Sequence, residues 1–230
     1  MGVKERRERE KSETRDKILD AARELFISEG YEGVSMRKVA EKIEYSPTAI
    51  YVHFADKNEL FHELCHQDYA RLAEVFQSSV MLSDPIERLK QIGAIYVDFG
   101  ARYPNHYQFM FMTPHPALGP HEDDEEIRGN PEEDAYAFLK WAVQQAIDAG
   151  CFREELTDPE IISQTLWAAV HGVISLHIAK CKDAWVQWRP LAERTQMILD
   201  VTVGGMMREK SSLAKPARNE APVLDKREDQ

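Results

Sequence analysis

Apolar positions recur along this chain at three- and four-residue intervals, and sustained alternation is absent. Ile18, Ala21, Ala22, Leu25 and Phe26 fall on one helical face, the stripe expected where one side packs against a core. Ser12 or Thr14 can cap that helix, and Gly30 supplies the left-handed residue that ends it. Later starts share one grammar: a capping residue, proline at the first helical position, then an acid. Asp84-Pro85-Ile86-Glu87, Asn130-Pro131-Glu132-Glu133 and Asp158-Pro159-Glu160 all follow it. No Asn-Gly or Asp-Gly pair marks a hairpin. The pattern predicts an all-α protein of about nine helices, near 12–29, 35–42, 46–53, 57–80, 84–102, 105–112, 131–149, 158–182 and 190–208. Residues 113–130, rich in proline, glycine and acids, read as one long loop. The polar stretch after 209 reads as a disordered tail.

The most informative segment runs from Tyr31 to Lys57. Ser35 caps a short helix whose Met36, Val39, Ala40 and Ile43 face inward; Glu44 and Tyr45 make a tight connection. Ser46 caps and Pro47 opens a second short helix containing Ala49, Ile50, Tyr51 and Val52. Two such helices joined by three or four residues form a helix-turn-helix. Helices this short bury little alone, so the preceding helix must complete a three-helix core around Leu25, Phe26, Val39, Ala40 and Ile50. Asp56 and Glu59 form a capping-box-like start for the next helix, directly behind this unit.

Composition changes the picture only where it is uneven. The formal charge is −11, which argues against a nucleic-acid partner. Residues 1–57, however, carry 12 Lys+Arg against 12 Asp+Glu, so the whole acidic excess lies beyond them. Eight acids fall between Glu122 and Asp134 alone. A locally neutral head can still bind phosphates, since contact depends on the local field. Three widely spaced cysteines, Cys65, Cys151 and Cys181, suggest reduced thiols in a cytoplasm. The N-terminus lacks a hydrophobic signal region, and no apolar run of membrane-spanning length stands out, so a membrane partner is not expected.

The run EGVSMRKVAEKIEYSPTAIYVHFADKNELF resembles the DNA-binding signature of the tetracycline-repressor (TetR/AcrR) family over residues 14–62. It carries the Gly30 stop, the Val39-Ala40 pair, the Ser46 cap, the Tyr51-x-His53-Phe54 cluster and Lys57. Leu166-Trp167-Ala168-Ala169-Val170-His171-Gly172 is similar to the Trp-His-Gly signature of one C-terminal subgroup, as is the stretch from Tyr103 to Phe111. The resemblance implies a helix-turn-helix domain over 1–56, an effector-binding and dimerisation domain over 57–208, and a tail over 209–230. It also implies a ligand-released repressor that binds a pseudo-palindromic operator as a homodimer. Ser46, Pro47, Thr48, Ala49 and Tyr51 would then lie on the recognition helix in the major groove. Thr48 could bond a base edge or phosphate, and the Ala49 methyl could touch thymine. Tyr51, His53 and Lys57 would meet phosphates, with Ser35 and Arg37 on the flanking backbone. The bland alternatives are that Tyr51 packs against Phe54 and that Lys57 is a solvated cation. The charged N-terminal arm either extends the first helix or reaches a minor groove.

The last two long helices are the expected dimerisation element, with Trp167, His171, Ile174 and Ile178 on one and Leu191, Ile198, Val201 and Gly205 on the other. The competing reading puts both stripes in the intramolecular core. For an effector pocket the candidates are Tyr96, Phe99, Tyr103, Phe109, Phe111, Phe138, Trp141 and Trp167, with Tyr107 and His171 as polar handles. His62, Cys65 and His66 share a helix face, but one helix cannot complete a tetrahedron and no metal or other cofactor is expected. The chain has no phosphate-binding glycine loop, HExxH, Gly-x-Ser-x-Gly or Cys-x-x-Cys, so nothing points to an enzyme.

Overall fold

The computed structural model describes residues 2–114 and 128–208. The expected tail and most of the acidic loop lie outside the described residues. Within them are nine helices: α1 (Val3–Gly33), α2 (Met36–Lys42), α3 (Pro47–Tyr51), α4 (Lys57–Gln77), α5 (Pro85–Arg102), α6 (Pro104–Met112), α7 (Ala135–Asp148), α8 (Pro159–Lys180) and α9 (Leu191–Met206). The all-α expectation is met.

Two predicted starts were misplaced. The first helix begins at Val3, not near residue 12, because charge spacing carries it through the arm. Arg6 pairs with Glu10 at 2.7 Å and Arg9 with Glu13 at 3.6 Å, both i,i+4. Thr14 is no cap; its hydroxyl donates to the Glu10 carbonyl within the helix. Gly30 (φ 71°) does break the helix, and one more turn follows to Gly33. The second shift is in α7. Asn130-Pro131 forms a turn, and Asp134 is the cap, accepting from the backbone N–H groups of Tyr136 and Ala137 at 2.8 and 3.1 Å. Asp84 and Asp158 cap α5 and α8 as expected.

In the head, α1, α2 and α3 bury Ile18, Ala22, Phe26, Val39, Ala40, Ile50 and Phe54, all at 1% exposure or less; Leu25, expected there, is only half-buried. Phe26 of α1 meets Phe61 of α4 and Phe109 of α6, with ring centroids 5.1 and 6.0 Å away, so the head is seated on the body through aromatic packing. The body surrounds α5, which packs against α4, α6, α7, α8 and α9. Its two glycines allow that crowding. A Cβ at Gly93 would stand 2.5 Å from Leu199 Cδ2, and one at Gly100 2.5 Å from Ile174 Cγ1.

Helix α8 is long and apolar enough, by length and composition, to cross a membrane, contrary to the expectation that no such run stands out; only 28% of its most apolar window is buried in the single chain. The α8 stripe expected at a dimer interface turns inward only in part. Ile174 is fully buried, and Trp167, His171 and Ile178 are half-buried. The outward face carries Ile161, Thr165, Ala168, Leu176 and Ala179. Met197 and Val201 are exposed on α9, and Cβ atoms at Gly172, Gly204 and Gly205 would all meet open space.

Candidate DNA-reading surface and effector cavity

The short helices of the head are placed by their caps. The Ser35 and Ser46 hydroxyls each accept from the backbone N–H three residues on, at 3.3 Å. Glu44 adopts φ 60° in the connection, a left-handed turn that folds α3 back across α2. Ile50 is fully buried and anchors α3 from below, while Ser46, Pro47, Thr48 and Tyr51 are exposed and Ala49 is half-buried. Tyr51 is 55% exposed, so its ring is not committed to packing on the buried Phe54. Arg37 is exposed and donates to Glu41 at 2.8 Å. These residues form one outward surface.

Two candidates stand apart from it. Lys57 is not a solvated cation: its ammonium donates to the Tyr31 carbonyl at 3.0 Å and lies 4.1 Å from the centroid of the Tyr31 ring. It clamps the start of α4 to the end of α1, beside the Asp56 cap, whose carboxylate accepts from the Glu59 N–H at 2.9 Å. His53 is half-buried, and its Nδ1 is buried without a partner. Burial, then the charges of Lys11 and Arg15, hold its pKa below the ordinary histidine value.

The body contains a cavity of about 110 Å³ between α4, α5, α6, α7, α8 and α9, lined almost wholly by apolar side chains. Three predicted residues line it: Tyr96, Phe111 and Trp167. Tyr107 and His171 lie directly behind. The Trp167 indole N–H donates to the Tyr96 hydroxyl at 2.9 Å, which faces the Tyr107 hydroxyl at 3.4 Å. Tyr107 in turn donates to Nδ1 of His171 at 2.5 Å. Burial pushes both tyrosines well above their ordinary pKa and lowers that of His171, so all three are neutral at pH 7. The Tyr96 hydroxyl also reaches Nδ1 of His171, at 3.1 Å.

The remaining candidates belong elsewhere. Phe99 packs on Tyr103, Phe109 fills the junction of head and body, and Phe138 packs on Phe76 and Trp141, which Arg88 covers. Tyr69, Leu72, Leu89, Tyr136 and Leu199 line the cavity without having been anticipated. They sit on stripes that read as plain core, and only the packing shows which stripe stops short of its neighbour.

A second feature missed by the sequence joins head to body. Arg23 of α1 donates from Nε and Nη2 to the two oxygens of Asp68 on α4 at 3.0 and 2.9 Å, with side chains only 6% and 2% exposed. His106 of α6 adds Nδ1 to the same carboxylate at 2.7 Å. A charge of each sign on the apolar stripe of its helix, Arg23 beside Ala22 and Phe26 and Asp68 between Leu64 and Leu72, was the available signal. No group of three or more metal-ligating side chains is found among the described residues.

A capped helix-turn-helix seated on a helical body with an internal cavity defines a DNA-binding regulator fold. The comparisons narrow this further. Residues 18–64 match the family model for bacterial regulatory proteins of the tetR family, and residues 89–194 match a tetracyclin repressor-like C-terminal domain. The chain belongs to the tetR family. It is 46% identical over 66 residues to the transcriptional repressor AcnR of Corynebacterium diphtheriae, covering 29% of this chain and 35% of that one. Against the transcriptional regulator UidR of Escherichia coli it is 34% identical over 86 residues, 37% and 38% of the two chains. The chain thus spans little more than a third of these relatives' length. Solved structures share the fold over more of it. The regulator PfmR of Thermus thermophilus gives a TM-score of 0.63 at 21% identity, covering 83% of this chain and 99% of its own. A SmeT–triclosan complex gives 0.62 at 21% identity, over 92% and 99%. AibR with isovaleryl coenzyme A and operator DNA gives 0.63 at 21%, over 84% and 97%.

Proposed function

We propose that the protein is a homodimeric transcriptional repressor of the cytoplasm, bound to a two-fold operator and released by a small hydrophobic effector. The observation that carries this is the outward surface of Ser46, Pro47, Thr48 and Tyr51, held rigid by a buried Ile50 and by two serine caps. Residues 1–56 act as the DNA-binding domain and 57–208 as the effector and dimerisation domain. Thr48 and the Ala49 methyl meet base edges; Ser35, Arg37 and Tyr51 meet phosphates; Lys57 acts mainly by fixing α4 behind the reading unit.

Dimerisation uses the outward face of α8 and α9. The exposed Ile161, Leu176, Met197 and Val201, with glycines opening onto space between them, are costly to leave in water and allow two helix pairs to approach closely. A dimer carries two recognition helices, suited to half-sites about one turn, ~34–36 Å, apart.

The cavity's lining selects the effector's chemistry. Among the described residues it contains no lysine, arginine or histidine, and the one carboxylate among them, Asp134, is occupied capping α7. Burying an anionic head there without a cation is costly. A neutral lipophile fits this apolar lining. Between the two ligands named for the structural relatives, a triclosan-like phenol suits this lining and a coenzyme A thioester does not. Occupation presses Tyr69 on α4 and Phe111 on α6. Both helices hold α1, through Asp68, which bonds Arg23 and His106 together, and through Phe61 and Phe109 on Phe26. The effector must prefer the released conformation; equal affinity for both shifts nothing. Gel-shift titration on the DNA flanking the protein's own coding sequence tests this. Sequence-specific, salt-sensitive binding weakened by neutral phenols is the expected result, and its absence on all such DNA refutes the proposal.

A further inference from the structure

About the first four turns of α1 precede the family match, which begins at residue 18. Acids and bases are mixed along this segment, Glu8 falling four residues after Lys4 and three before Lys11. Arg6 and Arg9 are neutralised by Glu10 and Glu13 on one side. Lys4, Arg7, Lys11 and Arg15, spaced three and four residues apart, form another stripe, continuous with the buried Ile18 and Ala22. This face therefore turns to the same side as the helix-turn-helix. Lys4, Arg7 and Lys11 are exposed and make no ion pair with a described residue. Arg15 sets the foot of the stripe, bonded to Glu63 at 2.8 Å and 5.0 Å from the Phe54 ring centroid. Lys11 and Arg15 are close enough to His53, just past the recognition helix, to disfavour its protonation.

From this arrangement we infer that Lys4, Arg7 and Lys11 form a phosphate-binding arm that grips the DNA backbone beyond each half-site. The inference rests on the operator-binding reading above. The stripe stands out in a chain whose remainder, residues 58–230, carries 17 Lys+Arg against 28 Asp+Glu. Aligned cations that the helix itself leaves unpaired repel one another at i,i+4, and a polyanion running alongside relieves that repulsion. At 1.5 Å per residue, the segment before residue 18 reaches about 22 Å, or roughly six base pairs of backbone. The contact is electrostatic and carries no base preference, so it raises affinity and extends the footprint without altering the sequence read.

The test uses the full chain in fluorescence-anisotropy titrations across potassium chloride concentrations. One duplex carries the protected site with long flanks, and a second is trimmed to the half-sites. Replacing Lys4, Arg7 and Lys11 together by Gln removes up to six phosphate contacts from a dimer. The log–log salt slope on the long duplex should become shallower by up to about 5, at ~0.9 per contact. The wild type and this variant should converge on the trimmed duplex. Arg6→Gln with Arg9→Gln removes the same type of charge from already paired positions and should change the slope far less. An unchanged slope for the triple variant on the long duplex overturns this inference alone. Failure of the wild type to bind any duplex specifically overturns the operator-binding reading with it.

Discussion

Asp68→Ala tests the physical link between head and body. In the folded protein the Arg23 guanidinium is 6% exposed and receives two charge-assisted bonds' worth of compensation from a carboxylate that is 2% exposed. Removing the carboxylate leaves a buried cation with only the exposed Asp20 beside it, at 2.8 Å. Breaking one side of a buried pair costs about 3–5 kcal/mol. Replacing both partners by apolar groups of similar volume costs much less, because no charge is stranded. Arg23→Met with Asp68→Leu should therefore be more stable than Asp68→Ala alone. Urea unfolding followed by circular dichroism, at one fixed protomer concentration, measures both. With a slope of roughly 1–3 kcal/mol per molar urea, the single variant's midpoint should fall by at least about 1 M. A loss below about 1 kcal/mol for Asp68→Ala, or a double variant as unstable as the two single losses summed, would refute the buried-pair account.

Three other expectations follow from single groups. Tyr51→Phe leaves the ring and removes one hydroxyl, so operator affinity should fall by about 1 kcal/mol per protomer with the thermal midpoint unchanged; equal affinity would remove Tyr51 from the contact surface. Leu176→Asp with Val201→Asp places charge on the outward α8–α9 face and should give monomers in sedimentation velocity, whereas an intact dimer would place the interface elsewhere. Because burial lowers the His171 pKa, the unfolded chain binds more protons than the folded one below the unfolded value near 6.5. The His171 contribution is complete above that pH and declines as pH falls toward the folded value. Wild type minus His171→Gln, compared between pH 7.5 and 5.5, isolates it; a difference that does not depend on pH contradicts the assignment.

Much of the head was legible in its residues because local rules govern it. Ser35, Ser46 and Asp56 are caps whose partners lie three residues on, and Val39, Ala40 and Ile50 fill a core too small to allow alternatives. The arm was harder, since Ser12 and Thr14 resemble caps, yet Arg6–Glu10 and Arg9–Glu13 pairing carries the helix past them. Asp134 outcompeted Asn130 as the α7 cap although both precede helix-compatible residues. In the body, periodicity identified apolar faces without saying what each meets. Trp167 and His171 read both as part of a dimer stripe and as pocket residues, and they turn to the cavity's tyrosines. The outward stripe through Ile161, Ala168 and Leu176 is nearly as apolar, and α8 is apolar on both sides. Distinguishing the two faces requires the packing of α5, which depends on what Gly93 and Gly100 admit. The Arg23–Asp68 pair joins residues 45 positions apart, a separation that no local rule reaches.

The central claim is that the exposed surface of α3 reads a two-fold DNA site. A nuclease-protection map of the intergenic DNA flanking the coding sequence tests it most directly. The account predicts protection over two inverted half-sites whose centres lie about one helical turn, ~34–36 Å, apart. That protection should weaken with Tyr51→Phe and fade as salt rises. Uniform, sequence-independent protection, or none on any neighbouring DNA, would contradict it.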